Sequence, residues 1–291
     1  MHTPRVPALV AAFALTATAC TSQQAAQAAQ TSEKTDSIAV VSAAAPNVLV
    51  VKTSDYAFDA PDSTRAGLTT IRLVTNAGNE MHQVGLIRLD SAKTPADLFN
   101  AMKAPGPMPK WAVEVAGVNP PAPGQTAEAT LILEPGSYLL VCLVPSADGV
   151  PHIAKGMSRP LVVTGAQVAA APLPGDLQIR LTDYAFGLSA PLTAGSHVIR
   201  VINDGQQSHE VMVVRLAPGK TAAQVAAWVE KMDGPPPGEP LSGVAGLGVG
   251  QSASFPLTLT PGDYGLICFI PDAKDGKPHY AHGMLHQFKV R

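Results

Sequence analysis

The chain has 291 residues, of which 46% are apolar, 5% aromatic and 14% charged, and 20 Lys and Arg against 22 Asp and Glu give a formal charge of −2. This balance lacks the basic surface that nucleic-acid binding requires, so we expect no nucleic-acid partner. The 25 Gly and 27 Pro residues disfavour a bundle of long helices, and three cysteines are too few for a disulfide-rich scaffold. The length suits roughly two domains of about 100 to 150 residues each.

The first 19 residues have the pattern of a signal peptide. Arg5 precedes an apolar run over 6–19, which is shorter than the roughly 20 residues that a membrane span requires. The run ends in small residues before Cys20 and resembles a bacterial lipobox, with Ala17 at the position that is usually Leu. This resemblance implies a lipidated Cys20. Because the next residue is Thr21 and not Asp, it also implies an outer-membrane lipoprotein on the periplasmic side of the envelope. Ordinary cleavage near position 19, which would release a soluble exported protein, is the alternative.

Residues 20–46 consist mainly of Ala, Gln, Ser and Thr, with no sustained apolar periodicity. Such a segment buries too little surface to offset the entropy lost on ordering. We therefore predict a flexible tether between the lipidated Cys20 and the first folded domain.

The rest of the chain is one unit that occurs twice, at an offset of about 127 residues. The matching segments are 53–58 with 181–186, 76–82 with 203–209, and 134–142 with 260–268. This duplication predicts a first domain at 47–165, a linker at 166–175 and a second domain at 176–291.

Each copy is predicted to be a β-sandwich with one short helical insertion. Short segments rich in Val, Ile, Leu and Thr, bounded by turn-forming residues, predict strands over 48–53, 70–75, 84–89, 129–133 and 137–144 in the first copy. Thr94 is predicted to be the N-cap and Pro95 the first helical residue of a helix that continues over 96–103. In the second copy, Val225, Trp228, Val229 and Met232 form one apolar helical stripe, which we expect to pack against the core. The fold class is therefore all-β, with two tandem sandwiches.

The same four metal-binding residue types recur in the same order in each copy. Two imidazoles, a thiolate and a thioether form the soft donor set of a mononuclear copper electron-transfer site. We therefore predict at most one copper ion in each copy. The candidate ligands are His82, Cys142, His152 and Met157 in the first copy, and His209, Cys268, His279 and Met284 in the second.

These motifs resemble those of the cupredoxin family, and of plastocyanin-like proteins in particular. They are Asn-x-Gly before a His (Asn203, Gly205, His209), Pro-Gly-x-Tyr-x-x-x-Cys (135–142 and 261–268), and His-x-x-x-x-Met with Gly before the Met (152–157 and 279–284). The resemblance covers both copies and implies Greek-key sandwiches with copper near one end. It also implies one-electron transfer with a redox partner protein in the periplasm.

The segment between Cys and the second His is longer than in plastocyanin-like proteins, with nine residues in the first copy and ten in the second. His282, which replaces Lys155 of the first copy, is an alternative ligand. Copper storage or tolerance without redox traffic, and a metal-free interaction module of the envelope, are the alternative functions.

We do not expect an enzyme. Two-domain cupredoxin enzymes connect the ligand Cys to a second metal through a neighbouring His, and they contain His-x-His pairs. Cys142 lies between Val141 and Leu143, Cys268 lies between Ile267 and Phe269, and the chain has no His-x-His pair. Oxidase and nitrite reductase activity are therefore not predicted.

Overall fold

A computed structural model describes residues 45–78, 80–90, 92–103, 108–166 and 173–291. The predicted signal peptide, Cys20, almost all of the predicted tether and most of the predicted linker lie outside the described residues. Within the described ranges, no helix is both long enough and apolar enough to cross a membrane.

Among its described residues, the first half of the fold contains nine strands and one α-helix, α1, over Pro95–Ala101. The strands are β1 Asn47–Ser54, β2 Ala57–Asp59, β3 Ser63–Arg65, β4 Gly67–Val74, β5 Val84–Leu89, β6 Ala112–Val118, β7 Thr126–Leu133, β8 Gly136–Val141 and β9 Ser158–Thr164.

The second half contains eight strands and one α-helix, α2, over Ala222–Val229. The strands are β10 Leu177–Thr182, β11 Ala185–Leu188, β12 Gly195–Asn203, β13 His209–Leu216, β14 Gly238–Leu247, β15 Ser252–Leu259, β16 Gly262–Ile267 and β17 Leu285–Val290.

Each half is a sandwich of two sheets, and one sheet is shared by both halves. The shared sheet has the strand order β11-β10-β12-β15-β7-β4-β1-β2. It is faced by a β3-β9-β8-β5-β6 sheet in the first half and by a β14-β13-β16-β17 sheet in the second. The mostly β architecture confirms the predicted fold class.

The five strands predicted in the first copy are all present, with bounds shifted by up to three residues at either end. Helix α1 begins at Pro95, the predicted first helical position, and ends at Ala101, two residues before the predicted end. Thr94 caps it, because its hydroxyl accepts from the Asp97 amide at 3.3 Å while Asp97 accepts from the Thr94 amide at 2.8 Å.

The two helices cover the outer faces of the smaller sheets. Along β13, Val211 and Val213 face the sandwich core, whereas Met212 and Val214 pack with Val225 of α2. Both faces of this strand are therefore buried, which explains its continuous apolar sequence. Met232, predicted to extend the stripe of α2, lies past the end of the helix with a φ of 48°.

The halves are joined by strand pairing and by Asn119. Ala253 of β15 pairs with Leu131 of β7 and extends the shared sheet across the boundary. The buried Asn119 donates through its main-chain amide to the Gly243 carbonyl and through its side-chain amide to the Val244 carbonyl, both at 3.2 Å. Because buried polar groups are stable only when hydrogen-bonded, these contacts fix one half against the other.

Replacing Asn119 with Ala should lower the free energy of unfolding by about 1 to 3 kcal/mol, because the Val244 carbonyl then loses its buried donor. Urea denaturation followed by circular dichroism measures this change. Asn100→Ala, at the exposed end of α1, is the control and should change stability by less than about 0.5 kcal/mol. Equal effects of the two substitutions would contradict this role of Asn119.

Candidate metal centres

The predicted ligands of the first half come together at one end of its sandwich. Cys142 directly follows β8, and His82 lies two residues before the neighbouring strand β5. His152 begins a short 3-10 turn over His152–Lys155, and Met157 follows that turn just before β9.

The second half repeats this arrangement. Cys268 directly follows β16, and His209 is the first residue of β13, its neighbour in the sheet. A 3-10 turn over His279–His282 is followed by Met284 and then by β17.

Main-chain hydrogen bonds hold the Cys, the second His and the Met of each site together. In the second half, the Cys268 amide donates to the Met284 carbonyl at 3.3 Å and the Met284 amide donates to the His279 carbonyl at 3.0 Å. The corresponding distances in the first half are 3.2 Å and 2.9 Å. The positions of these three residues are therefore set by the backbone, independently of any bound ion.

The longer segments between Cys and His fold outward and do not displace the second His. Pro271 and Pro278 form an isolated β-bridge at the base of the loop, as do Pro145 and Pro151 in the first half. The His279 amide then donates to the Ile270 carbonyl at 2.9 Å. The extra residues form a closed turn, and the imidazole returns to the Cys end of the strand.

Donor atoms converge in both halves. His82 Nδ1 lies 3.2 Å from His152 Nδ1, which lies 3.4 Å from Cys142 Sγ. In the second half, His209 Nδ1 lies 3.0 Å from His279 Nδ1, which lies 3.4 Å from the Sγ of Cys268. Within each half, all three donor atoms lie within 4.8 Å of one another. All six side chains are fully buried.

These distances fit a metal ion. Metal–nitrogen bonds near 2.0 to 2.1 Å and metal–sulfur bonds near 2.3 Å, at angles of 100 to 110°, place donor atoms about 3.1 to 3.6 Å apart. Met157 and Met284, both fully buried, add a thioether next to each cluster along the backbone. Thiolate and thioether are soft donors that suit copper, while imidazole accepts both of its oxidation states.

In the metal-free protein, burial favours the neutral form of the imidazoles and the protonated form of the thiols. Desolvation lowers the pKa of all four histidines, and for His279, where the neighbouring His209 adds to the effect, the pKa falls to about 4. Desolvation raises the pKa of Cys142 to about 12 and that of Cys268 well above its usual value. Because thiolate is the ligand form, metal binding must displace the thiol proton.

Two carboxylates that were not predicted from the sequence lie behind the imidazoles. Asp183 Oδ1 lies 2.9 Å from His209 Nε2, the ring nitrogen that points away from the donor cluster. Asp55 occupies the equivalent position at 3.8 Å from His82 Nε2. A carboxylate at this nitrogen fixes the tautomer and orientation of a ligand His.

Two tyrosines, also missed, cover the second histidine of each site. The Tyr56 ring lies edge-on to His152 with 5.2 Å between ring centroids, and Tyr184 lies edge-on to His279 at 5.5 Å. Both tyrosines have positive φ, 61° and 69°, at the turn after the Asp. The signal was present in the sequence, because the recurrence of Asp-Tyr-Ala-Phe marks a segment that both copies retain.

His282 lies apart from the donor cluster of the second half. Its Nε2 atom is 3.1 Å from Asp275 Oδ1, and it groups with Asp272 and Asp275 instead of with Cys268. Lys155, its counterpart, lies 2.8 Å from Asp148 Oδ2 in the first half. Both residues thus pair with a carboxylate of the Cys-to-His loop.

No family model and no curated protein matches this chain. Among solved structures, auracyanin A, a "blue" copper protein from Chloroflexus aurantiacus, is 26% identical, with 41% of this chain and 100% of that chain covered and a TM-score of 0.31. A multicopper oxidase is 14% identical, covering 84% of this chain and 88% of that chain at a TM-score of 0.23. A copper nitrite reductase from Nitrosomonas europaea is 13% identical, with 84% of this chain and 93% of that chain covered and a TM-score of 0.25.

The architecture and the donor sets, taken together, fit a cupredoxin-like fold. Each half is a β-sandwich with a buried His-Cys-His cluster at one end. The chemistry of both clusters fits copper, which confirms the cofactor expected from the sequence.

The expectation that the protein is not an enzyme is wrong. The similar structures include multicopper oxidases and copper nitrite reductases, and the described residues hold two His-Cys-His clusters. The expectation rested on the chain neighbours of Cys142 and Cys268. The two histidines of each cluster are 70 positions apart in the chain and meet only in the folded protein. The residues next to the cysteine in sequence therefore do not exclude an enzymatic metal site.

Replacing Gly205 with Ala should lower the copper affinity of the second site by about tenfold to a hundredfold. A Cβ atom at this position would lie 2.6 Å from both His209 Nε2 and Asp183 Oδ1, so the imidazole must move. The matched control is Gly78→Ala, whose Cβ would lie 3.0 Å from Asn76 Nδ2 and 3.3 Å from Asp55 Oδ1, with no His atom among its nearest contacts. Copper titration of each variant measures the affinity, and equal losses would contradict the steric argument.

Proposed function

We propose that this protein binds one mononuclear copper ion in each half and transfers single electrons to or from a redox partner protein in the periplasm. The observation that carries the proposal is the convergence of two imidazole nitrogens and one thiol sulfur in each half, with separations of 3.0 to 3.4 Å between the closest donor atoms. Each site would use the two histidines and the cysteine as ligands, with the methionine as the weak axial ligand.

A fast electron-transfer site must change little between its two oxidation states. Backbone hydrogen bonds fix Cys268, His279 and Met284 on adjacent segments of the β-frame, and Asp183 orients His209. Full burial of the donor side chains keeps bulk water away from the ion. These features favour small reorganisation, and bound copper would supply the one-electron couple that the side chains lack.

Cys142→Ser and Cys268→Ser should each remove about half of the bound copper and half of the visible absorption, because each site has one thiolate. The double variant should bind none at these sites. Metal analysis and absorption spectroscopy measure the two quantities, and His286→Ala, which alters an exposed histidine, is the control. An unchanged spectrum in Cys268→Ser would contradict the ligand assignment of the second half.

Spectroscopy of the unaltered protein separates the electron-transfer proposal from the alternative functions. An intense thiolate-to-copper band, narrow EPR hyperfine splitting and reversible one-electron voltammetry are expected. Tight colourless Cu(I) binding would replace the proposal with copper storage, and no copper binding would leave a metal-free module.

We also propose that the chain is an exported lipoprotein anchored through Cys20, most simply in the outer membrane. The apolar run over 6–19 and the small residues before Cys20 support this proposal. Cys20→Ala should abolish incorporation of labelled palmitate and move the protein out of the membrane fraction. Thr21→Ala, which retains the cysteine, should incorporate palmitate as before. Unaltered palmitate labelling of Cys20→Ala would overturn the anchoring proposal.

A further inference from the structure

The two copper sites have the same four donor residues but different charges around them. The first difference is at the residue after the first ligand histidine, which is Gln83 in one half and Glu210 in the other. The Glu210 side chain is buried, and its Oε1 accepts from the Phe269 amide at 2.8 Å. Its own amide lies 3.4 Å from Cys268 Sγ. The second site therefore has a buried carboxyl group beside its thiolate, where the first has a neutral amide.

The second difference is the strength of the carboxylate contact to that histidine. Asp183 lies 2.9 Å from the outer nitrogen of His209, and its side chain is 32% exposed. Asp55 lies 3.8 Å from the outer nitrogen of His82 and is 62% exposed. The nearer and less exposed carboxylate is less screened by water.

The third difference is the carboxylate that lies near the second ligand histidine of each site. Glu80 lies 3.4 Å from His152 Nε2 and Asp272 lies 3.9 Å from His279 Nε2, so this contact alone is closer in the first half. Asp272, however, is 2% exposed against 26% for Glu80. The positive charge of Lys155 also acts on His152 and opposes Glu80.

We propose that the second site favours Cu(II) over Cu(I) more strongly than the first site does, and so has the lower reduction potential. Buried negative charge stabilises the ion of higher charge, and the residues that carry this difference are Glu210 and Asp183. Both act through the ligands His209 and Cys268 and are therefore positioning residues. The inference rests on the proposed copper function.

The difference would set the direction of electron transfer between two copper ions held in one chain. One electron would leave the ion of the second site, as Cu(I) becomes Cu(II), and would enter the ion of the first site, as Cu(II) becomes Cu(I). No bond to the protein forms or breaks, and no further reactant is required. The second half would then receive electrons from the donor, and the first half would pass them on.

The experiment measures the potential of each site separately in the full chain. Cys142→Ser leaves only the second site and Cys268→Ser leaves only the first, and each variant is titrated by spectroelectrochemistry in the same buffer at the same pH. The second site should prefer Cu(II) over Cu(I) at least tenfold more than the first, which corresponds to about 59 mV for a one-electron couple.

Substitutions at the positions that differ between the two sites test whether these residues cause the difference in potential. Glu210→Gln should raise the potential of the second site and Gln83→Glu should lower that of the first, so that the difference shrinks from both sides. Asp183→Asn should raise the potential of the second site more than Asp55→Asn raises that of the first. Asp263→Asn removes one carboxylate at the opposite end of β16 from Cys268, and it should leave both potentials unchanged.

The outcomes distinguish this inference from the function on which it rests. Full copper loading with equal potentials, or potentials that the exchanges do not move, would overturn the inference and leave the copper function intact. No copper in either single-site variant would overturn the proposed function itself. If Glu210→Gln does not fold, the Gln83→Glu exchange decides the cause alone, because it adds the charge to the other half.

Discussion

The sites depend on one constraint, which is the hydrogen-bonded attachment of a short 3-10 turn to the strand end that carries the cysteine. In the second half the Cys268 carbonyl accepts from the Tyr280 amide at 3.0 Å and the Cys268 amide donates to Met284 at 3.3 Å. These bonds place thiol, imidazole and thioether next to one another before any ion binds. The neighbouring strand then adds His209. Because the donor side chains are fully buried, they are also shielded from water.

Duplication of the unit gives two sites with the same donors inside one continuous structure. The halves share an eight-stranded sheet through the pairing of β7 with β15, and Asn119 joins them at a second point. Their donor residues correspond, whereas the charges around the donors differ. Glu210 takes the place of Gln83, and Asp183 lies closer to its histidine than Asp55 does. Such a molecule keeps one arrangement of donor atoms in both halves, while the charges around each site can differ.

The fold was largely accessible from sequence, since alternating apolar segments and turn residues located five strands of the first half and Thr94 located the start of α1. The edge strands β2 and β3 were missed because three residues carry too little periodicity, and the seven-residue strand β6 was also missed. The carboxylates Asp55 and Asp183 were missed for a different reason. They lie 26 to 27 positions from the histidines they face, and nothing in the chain between them marks the contact. The exclusion of catalysis failed because it was argued from chain neighbours.

The sequence by itself determined the repeat, the all-β class and the donor types, because these follow from composition, periodicity and the order of a few residues. Only the tertiary structure decided whether those donors meet, how close each imidazole lies to its carboxylate, and on which side of each ring the metal must bind. These features depend on distances between segments that are about 26 to 70 positions apart in the chain. Strand pairing and packing set those distances, and the local sequence pattern carries no information about them.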